Sequence, residues 1–205
     1  MRRKEDLSVM GEARRNPKEF TSDWFSEHIP LWESQLAGLK GQPDLSFLEI
    51  GAFEGRATLW LLSNILTDST SRITCIDPFE ERYVYRKDNP GYEQRFDRNT
   101  REYIDKISKL KGYSKDILKK IEANFQFIYI DGSHLAADVL EDAVLSWPLV
   151  TDGGILVFDD YLLAKEPEEE NRPKLGIDAF LSVYRGRYEV LHLGKQVWLR
   201  KQIKK

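Results

Sequence analysis

Apolar runs in this 205-residue chain repeatedly stop at a carboxylate. Glu49 lies in Leu48-Glu49-Ile50-Gly51-Ala52-Phe53-Glu54-Gly55, Asp77 follows Arg72–Ile76, Asp131 opens Asp131-Gly132-Ser133-His134 after Ile130, and Asp159-Asp160 follows Phe158. In an open parallel sheet such strand ends all point to one edge. The chain reverses its winding there and leaves a crevice for a nucleotide-like ligand. The pattern is that of an enzyme.

Each group has its own chemistry. Gly51 and Gly55 allow a tight turn and a ligand's close approach to the following helix, but their Gly-x-x-x-Gly spacing lacks the pattern that cradles a pyrophosphate. Glu49 would repel a phosphate and suits an ammonium such as that of a methionine moiety. Asp77 comes 22 positions after Gly55, near the offset at which nucleotide folds place an acid on a ribose diol; the plain alternative is a turn opened by Asp77-Pro78. Asp131, Asp159 and Asp160 would end neighbouring strands and repel one another unless a cation joined them. An all-oxygen set suits Mg²⁺, with Mn²⁺ or Ca²⁺ behind it. The alternative has Asp131 and Asp160 opening turns in solvent. His134, at the start of a helix, is disfavoured as an imidazolium and so suits a general base; the alternative is a structural histidine. Ser114 can meet an adenine rim or serve as a helix N-cap.

The elements that would position these groups are legible from periodicity. Residues 1–20 read as a mobile arm and 21–205 as one domain, with a helical cap over 21–41 (Phe25, Ile29, Trp32, Leu36 and Leu39 at helical spacing) and the sheet and helices over 46–205. Strands are expected at Ser46–Ile50, Arg72–Ile76, Ile107–Lys111, Phe125–Ile130 and Gly154–Phe158. Helices are expected after Gly55, over Tyr92–Tyr103, over Leu135–Leu145 and near Gly176–Tyr184. Strands alternating with helices imply a doubly wound α/β sheet. Tyr188–Leu193 and Gln196–Arg200, joined by Gly194-Lys195, must pair antiparallel because the turn is so short. A closing hairpin argues against a dinucleotide dehydrogenase and for a Rossmann-like sheet of the class I methyltransferase kind, seven-stranded and mostly parallel. The stretches 79–92 and 162–174 leave the same edge and either shape a substrate pocket or are solvated excursions. Trp24-Phe25 and Trp32 either cover a cofactor or pack the cap.

Composition narrows the classes. A formal net charge of −3, with charges of both signs throughout, gives no electrostatic reason to bind nucleic acid. No apolar run approaches the roughly 18 residues of a membrane span, and Met1-Arg2-Arg3-Lys4-Glu5-Asp6 lacks a signal-peptide core, so no membrane role and a cytoplasmic location are expected. The single Cys75 fits a reducing compartment. The expected partner is a small-molecule substrate; a homo-oligomer is compatible with the sequence.

Glu49-Ile50-Gly51-Ala52-Phe53-x-Gly55 resembles the first motif of catechol O-methyltransferase-type enzymes, and the resemblance runs from about Phe47 to Tyr161. Tyr129-Ile130-Asp131-Gly132-Ser133-His134 and Phe158-Asp159-Asp160-Tyr161, with Thr21-Ser22-Asp23-Trp24-Phe25 and Ile29-Pro30-Leu31-Trp32-Glu33, are more similar still to bacterial class I enzymes of the macrocin O-methyltransferase-like kind. The resemblance implies S-adenosylmethionine as cofactor, held by Glu49, Gly51, Phe53, Gly55, Asp77, Ser114 and Asp131. It also implies Mg²⁺ on Asp131, Asp159 and Asp160, and His134 as the catalytic base. Catechol enzymes usually carry Asn and Lys where this chain has Asp160 and His134, so a catechol acceptor is not implied. The expected reaction is methyl transfer to a hydroxyl of a sugar or phenol. A metal-independent methyltransferase and a non-catalytic cofactor-binding protein are the alternatives.

Overall fold

The computed structural model describes residues 18–80, 91–164, 168 and 172–202. Most of the expected arm, most of 79–92 and part of 162–174 lie outside the described residues. Lys18 and Glu19, assigned from sequence to the arm, are instead tied down: the Lys18 ammonium donates to the Asn99 carbonyl and the Glu19 amide to Asn99 Oδ1, each at 2.8 Å.

The chain enters through a 3₁₀ turn, Ser26–His28, and helix α1, Ile29–Leu36, whose Pro30 sits in the first turn where no intrahelical N–H is needed. Strand β1 (Ser46–Ile50) leads through the glycine turn into α2 (Arg56–Asn64), then β2 (Arg72–Asp77). Helix α3 (Tyr92–Thr100) and a 3₁₀ stretch cross back to β3 (Ile107–Lys111), and a short α4 (Ser114–Ile117) precedes β4 (Phe125–Ile130). Helix α5 (Ala136–Ser146), β5 (Val150–Phe158), α6 (Pro173–Val183), β6 (Tyr188–Leu193) and β7 (Val197–Lys201) complete the chain.

The seven strands form one sheet in the order β3-β2-β1-β4-β5-β7-β6. The pairs among β1 to β5 are parallel, and β7 is inserted antiparallel between β5 and β6. The expected fold class holds. Strand β5 is longer than the expected Gly154–Phe158, and a register irregularity lies between Phe125 and Phe127 on its partner β4; an irregularity of that kind masks the two-residue period on which a strand is recognised.

Alternation along the strands divides the core. Phe47, Cys75, Phe127, Tyr129, Val157 and Trp198 pack on the face covered by α1 and α2, while Leu48, Ile50, Ile128, Ile130, Leu156 and Phe158 pack on the other with Val139 and Phe180. Burial of both faces explains why the central strands β1, β4 and the end of β5 are mostly apolar on both sides, while the outer β3 and β6 are partly exposed. The order of winding reverses between the parallel strands β1 and β4. Their ladder continues past the strand ends, with the Asp131 amide donating to the Ile50 carbonyl at 2.8 Å.

Candidate active site

The glycine turn after β1 is set by contact with the loop after β4. Gly51 has φ +90°, and a Cβ placed there would stand 1.9 Å from the Asp131 carbonyl oxygen, so no side chain fits. Phe53 and Asp160 also take positive φ, as does Phe79, which brings three non-glycine left-handed residues to the carboxyl edge. Such conformations are held only where the surroundings over-determine them. The Phe53 amide is held by Asp77 Oδ2 at 3.0 Å; Asp77 Oδ1 accepts the Phe79 amide at 2.8 Å and the Tyr92 hydroxyl at 3.3 Å. Asp77 is buried. It therefore joins the first turn to the loop after β2.

An N-terminal strap crosses this edge. Thr21 donates its amide and hydroxyl to buried Glu54 at 2.8 Å each, and Glu54 pairs with Arg95 at 2.6 Å. Exposed Trp24 stacks on Phe53 with ring centroids 5.6 Å apart. Further along, His28 Nε2 comes within 3.9 Å of Asp159 Oδ1, and Lys195 pairs with Glu27 at 2.5 Å. The strap thus runs from the glycine turn to the acids after β5.

Glu49 faces α2, as alternation requires, and its carboxyl accepts the Thr58 hydroxyl at 2.5 Å. Burial pushes its pKa up to about 8, against the pull of that hydrogen bond. Ser114 is the first residue of α4, the N-cap position falling to Tyr113, and its hydroxyl tempers Asp142 on α5, a buried acid that desolvation nevertheless raises to about 7. Of the two readings of Ser114, a side-chain N-cap is not what the structure has.

The acids after β4 and β5 converge. Oxygens of Asp131 and Asp160 and a ring nitrogen of His134 all lie within 4.8 Å of one another, and His134 Nε2 is 2.9 Å from Asp160 Oδ2. The structure thus brings His134, rather than Asp159, into the converging group. Asp159 is committed to protein donors: its Oδ1 accepts the Asp160 amide at 2.7 Å, and its Oδ2 accepts the Gln196 amide at 3.2 Å and contacts the Tyr129 hydroxyl. Neighbouring residues at a strand end face opposite ways, and Asp159 follows the side of Val157 and Tyr129 while Asp160 turns away through its left-handed backbone.

Tyr129 shows what the site lacks in charge. Its hydroxyl lies 3.0 Å from Asp131 Oδ2 and also against Asp159 Oδ2. A phenol has one hydrogen to give. The second contact therefore needs a proton on one acid, or a cation that takes its place. Burial, then the charges of Asp159 and Asp160, push the Asp131 carboxyl well up; burial, then Asp160, raises Asp159. This donor set fits a hard divalent cation. Tyr129, Gln196, Glu54 and Asp142 were not singled out from sequence. The usable signal was the odd-numbered alternation Tyr129, Asp131, which puts a phenol under a strand-end acid.

The fold and this edge define a class I methyltransferase architecture, and comparison agrees. Residues 48–161 match the family of the methyltransferase domain, and the chain belongs to that family. R132, an uncharacterized protein of Acanthamoeba polyphaga mimivirus, is 29% identical over 145 residues, covering 67% of this chain and 60% of the relative. The chain thus spans less than two thirds of that relative's length. Among solved structures, the O-methyltransferase TomG from Streptomyces achromogenes, involved in tomaymycin synthesis and seen with S-adenosylmethionine, superimposes with a TM-score of 0.64 at 16% identity over 84% of this chain and 80% of its own. The methyltransferase MycE of the mycinamycin pathway, in complex with Mg, S-adenosylhomocysteine and mycinamycin VI, gives 0.61 at 15% identity over 88% of this chain and 51% of its own. Among the described residues no helix is long and apolar enough to cross a membrane.

Proposed function

We propose that this chain is an S-adenosylmethionine-dependent O-methyltransferase whose acceptor is a hydroxyl of a small molecule, a sugar or a phenol. The observation that carries the reading is the convergence of Asp131, Asp160 and His134 beside the Gly51 turn. Family membership over residues 48–161 supports the cofactor, and TomG and MycE share the fold with bound forms of it.

In this reading the turn from Gly51 to Gly55, with Phe53, lets the methionine part approach the backbone. Glu49 serves the ammonium from below the turn, giving up to that charge the proton that burial otherwise keeps on it, Asp131 borders the cofactor, and Ser114 lies at the adenine end. Asp77 takes the ribose diol, which replaces the Tyr92 hydroxyl as a hydroxyl donor to the same carboxylate. Asp131 and Asp160 supply the carboxylate oxygens for a divalent cation, with Mg²⁺ the best match, and Asp159 adds its charge from behind. When bound, the cation lowers the acceptor's pKa and fixes its oxygen. His134 accepts the proton, held in orientation by Asp160. The strap with Trp24 and the residues after β5 border the acceptor's approach. Transfer then depends mainly on alignment of the acceptor oxygen with the methyl group.

The test is a labelled-methyl assay against hydroxylated acceptors, with and without chelator. Transfer that chelation stops and Mg²⁺ restores supports the reading; transfer untouched by exhaustive chelation would remove the cation from it. Failure to transfer to any acceptor despite cofactor binding favours a non-catalytic binding protein.

A further inference from the structure

The best-defined group outside the reacting atoms is a buried amide with its two ends assigned by its neighbours. Gln196, 1% exposed, lies in the β6–β7 connection. Its oxygen faces two indole N–H groups, Trp32 Nε1 at 2.9 Å and Trp198 Nε1 at 3.1 Å. An indole N–H can only donate, so that end of the amide must be the oxygen. The NH₂ end is thereby forced toward Asp159 Oδ2, 3.2 Å away. Neither indole can turn: Trp32 is fully buried and packs edge-on against Trp198 and Tyr129 at centroid distances of 5.5 and 4.9 Å.

We infer that Gln196 is a positioning residue for the acidic site: the indole fork aims its N–H at Asp159, and Asp159 in turn holds the Tyr129 hydroxyl that borders Asp131. This rests on the cation reading above and adds to it residues from α1 and β7. Trp32, Gln196 and Trp198 all lie outside the matched stretch 48–161. The fork ties the charge of the site to the aromatic core, so the acid cannot swing toward solvent when a cation arrives or leaves. Groups that orient a metal site from behind typically change its affinity by about 10–100-fold.

Two measurements decide it. Gln196→Met keeps most of the volume and removes the donor; Mn²⁺ affinity of the folded variant, read by electron paramagnetic resonance, should fall about tenfold while S-adenosylmethionine affinity stays within about twofold. Trp32→Phe/Trp198→Phe, which leaves the amide but frees it to turn, should weaken Mn²⁺ in the same direction, and it stands in if Gln196→Met does not fold. Independently of any metal, the Gln196 side-chain amide protons should be shifted and slow to exchange by NMR and should lose both properties in Asp159→Ala, which removes the acceptor. Unchanged Mn²⁺ affinity in a folded variant overturns the inference, as does an amide signal indifferent to Asp159→Ala. If the wild type binds no Mn²⁺ at all, the cation reading fails and the NMR result alone decides whether Gln196 locks Asp159.

Discussion

Asp131 and Asp159 meet across one phenolic hydrogen, so the group holds an extra proton or a cation, and the nearby convergence of Asp131, Asp160 and His134 is the physical argument for the cation. Removing Asp160 takes away one converging carboxylate but none of the donors to Asp159 Oδ2. Asp160→Ala should therefore weaken Mn²⁺ by roughly a hundredfold, at least the upper range for a group behind a metal, with cofactor affinity preserved; calorimetry on both ligands checks this. His134→Ala should slow methyl transfer while leaving cofactor affinity unchanged, and an equal loss in both would make His134 a binding group instead of a base. Glu49 gives a prediction for stability. Its folded pKa is raised to about 8 from 4.5, so the folded state keeps a proton that the unfolded chain releases. The stabilisation is complete below pH 4.5 and falls as pH rises toward 8, with a limiting slope of about 1.4 kcal/mol per pH unit. Buried Asp142, raised to about 7, acts with the same sign. Urea unfolding at pH 6 and 8 should show the fall in the wild type and a smaller one in Glu49→Gln. At this scale the sequence exposed the acids because each stands where an apolar run stops. It hid Tyr129 and Gln196, which look like ordinary strand and turn residues until the fold places them behind Asp159.

The elements meet with little slack at the reversal of winding. The Gly51 turn and the Asp131 loop are in backbone contact, so Gly51→Ala must part β1 from β4 or distort the turn, beyond the cost of positive φ for a side chain. A destabilisation of ~3 kcal/mol or more is expected. Chemical denaturation measures it, and a loss under about 1 kcal/mol would mean the loops separate easily. Glycine spacing and strand ends made this turn readable. The placement of Asp159 was not, because two adjacent acids look equivalent in a sequence and differ only through alternation and the left-handed Asp160. Strand β5 extends beyond its apolar segment where the register with β4 breaks. The docking of Lys18 and Glu19 depends on Asn99, some 80 residues away, and local pattern carries no trace of it.

Across the whole molecule, a two-sided core imposes a sheet with one working edge. Predominantly apolar cores in β1, β2, β4 and β5 dictated burial on both faces, and the short Gly194-Lys195 connection dictated the antiparallel ending, so the architecture was readable from pattern alone. The acceptor was not, since specificity rests on a few individual side chains rather than on periodicity. The central claim is that this edge holds a sulfonium donor beside a cation-binding group of acids. A calorimetric titration with S-adenosylmethionine, with and without Mg²⁺, tests it most directly. The account predicts one cofactor bound per chain, lost in Asp77→Ala variants that remain folded. No binding heat from the wild-type protein under either condition would contradict it.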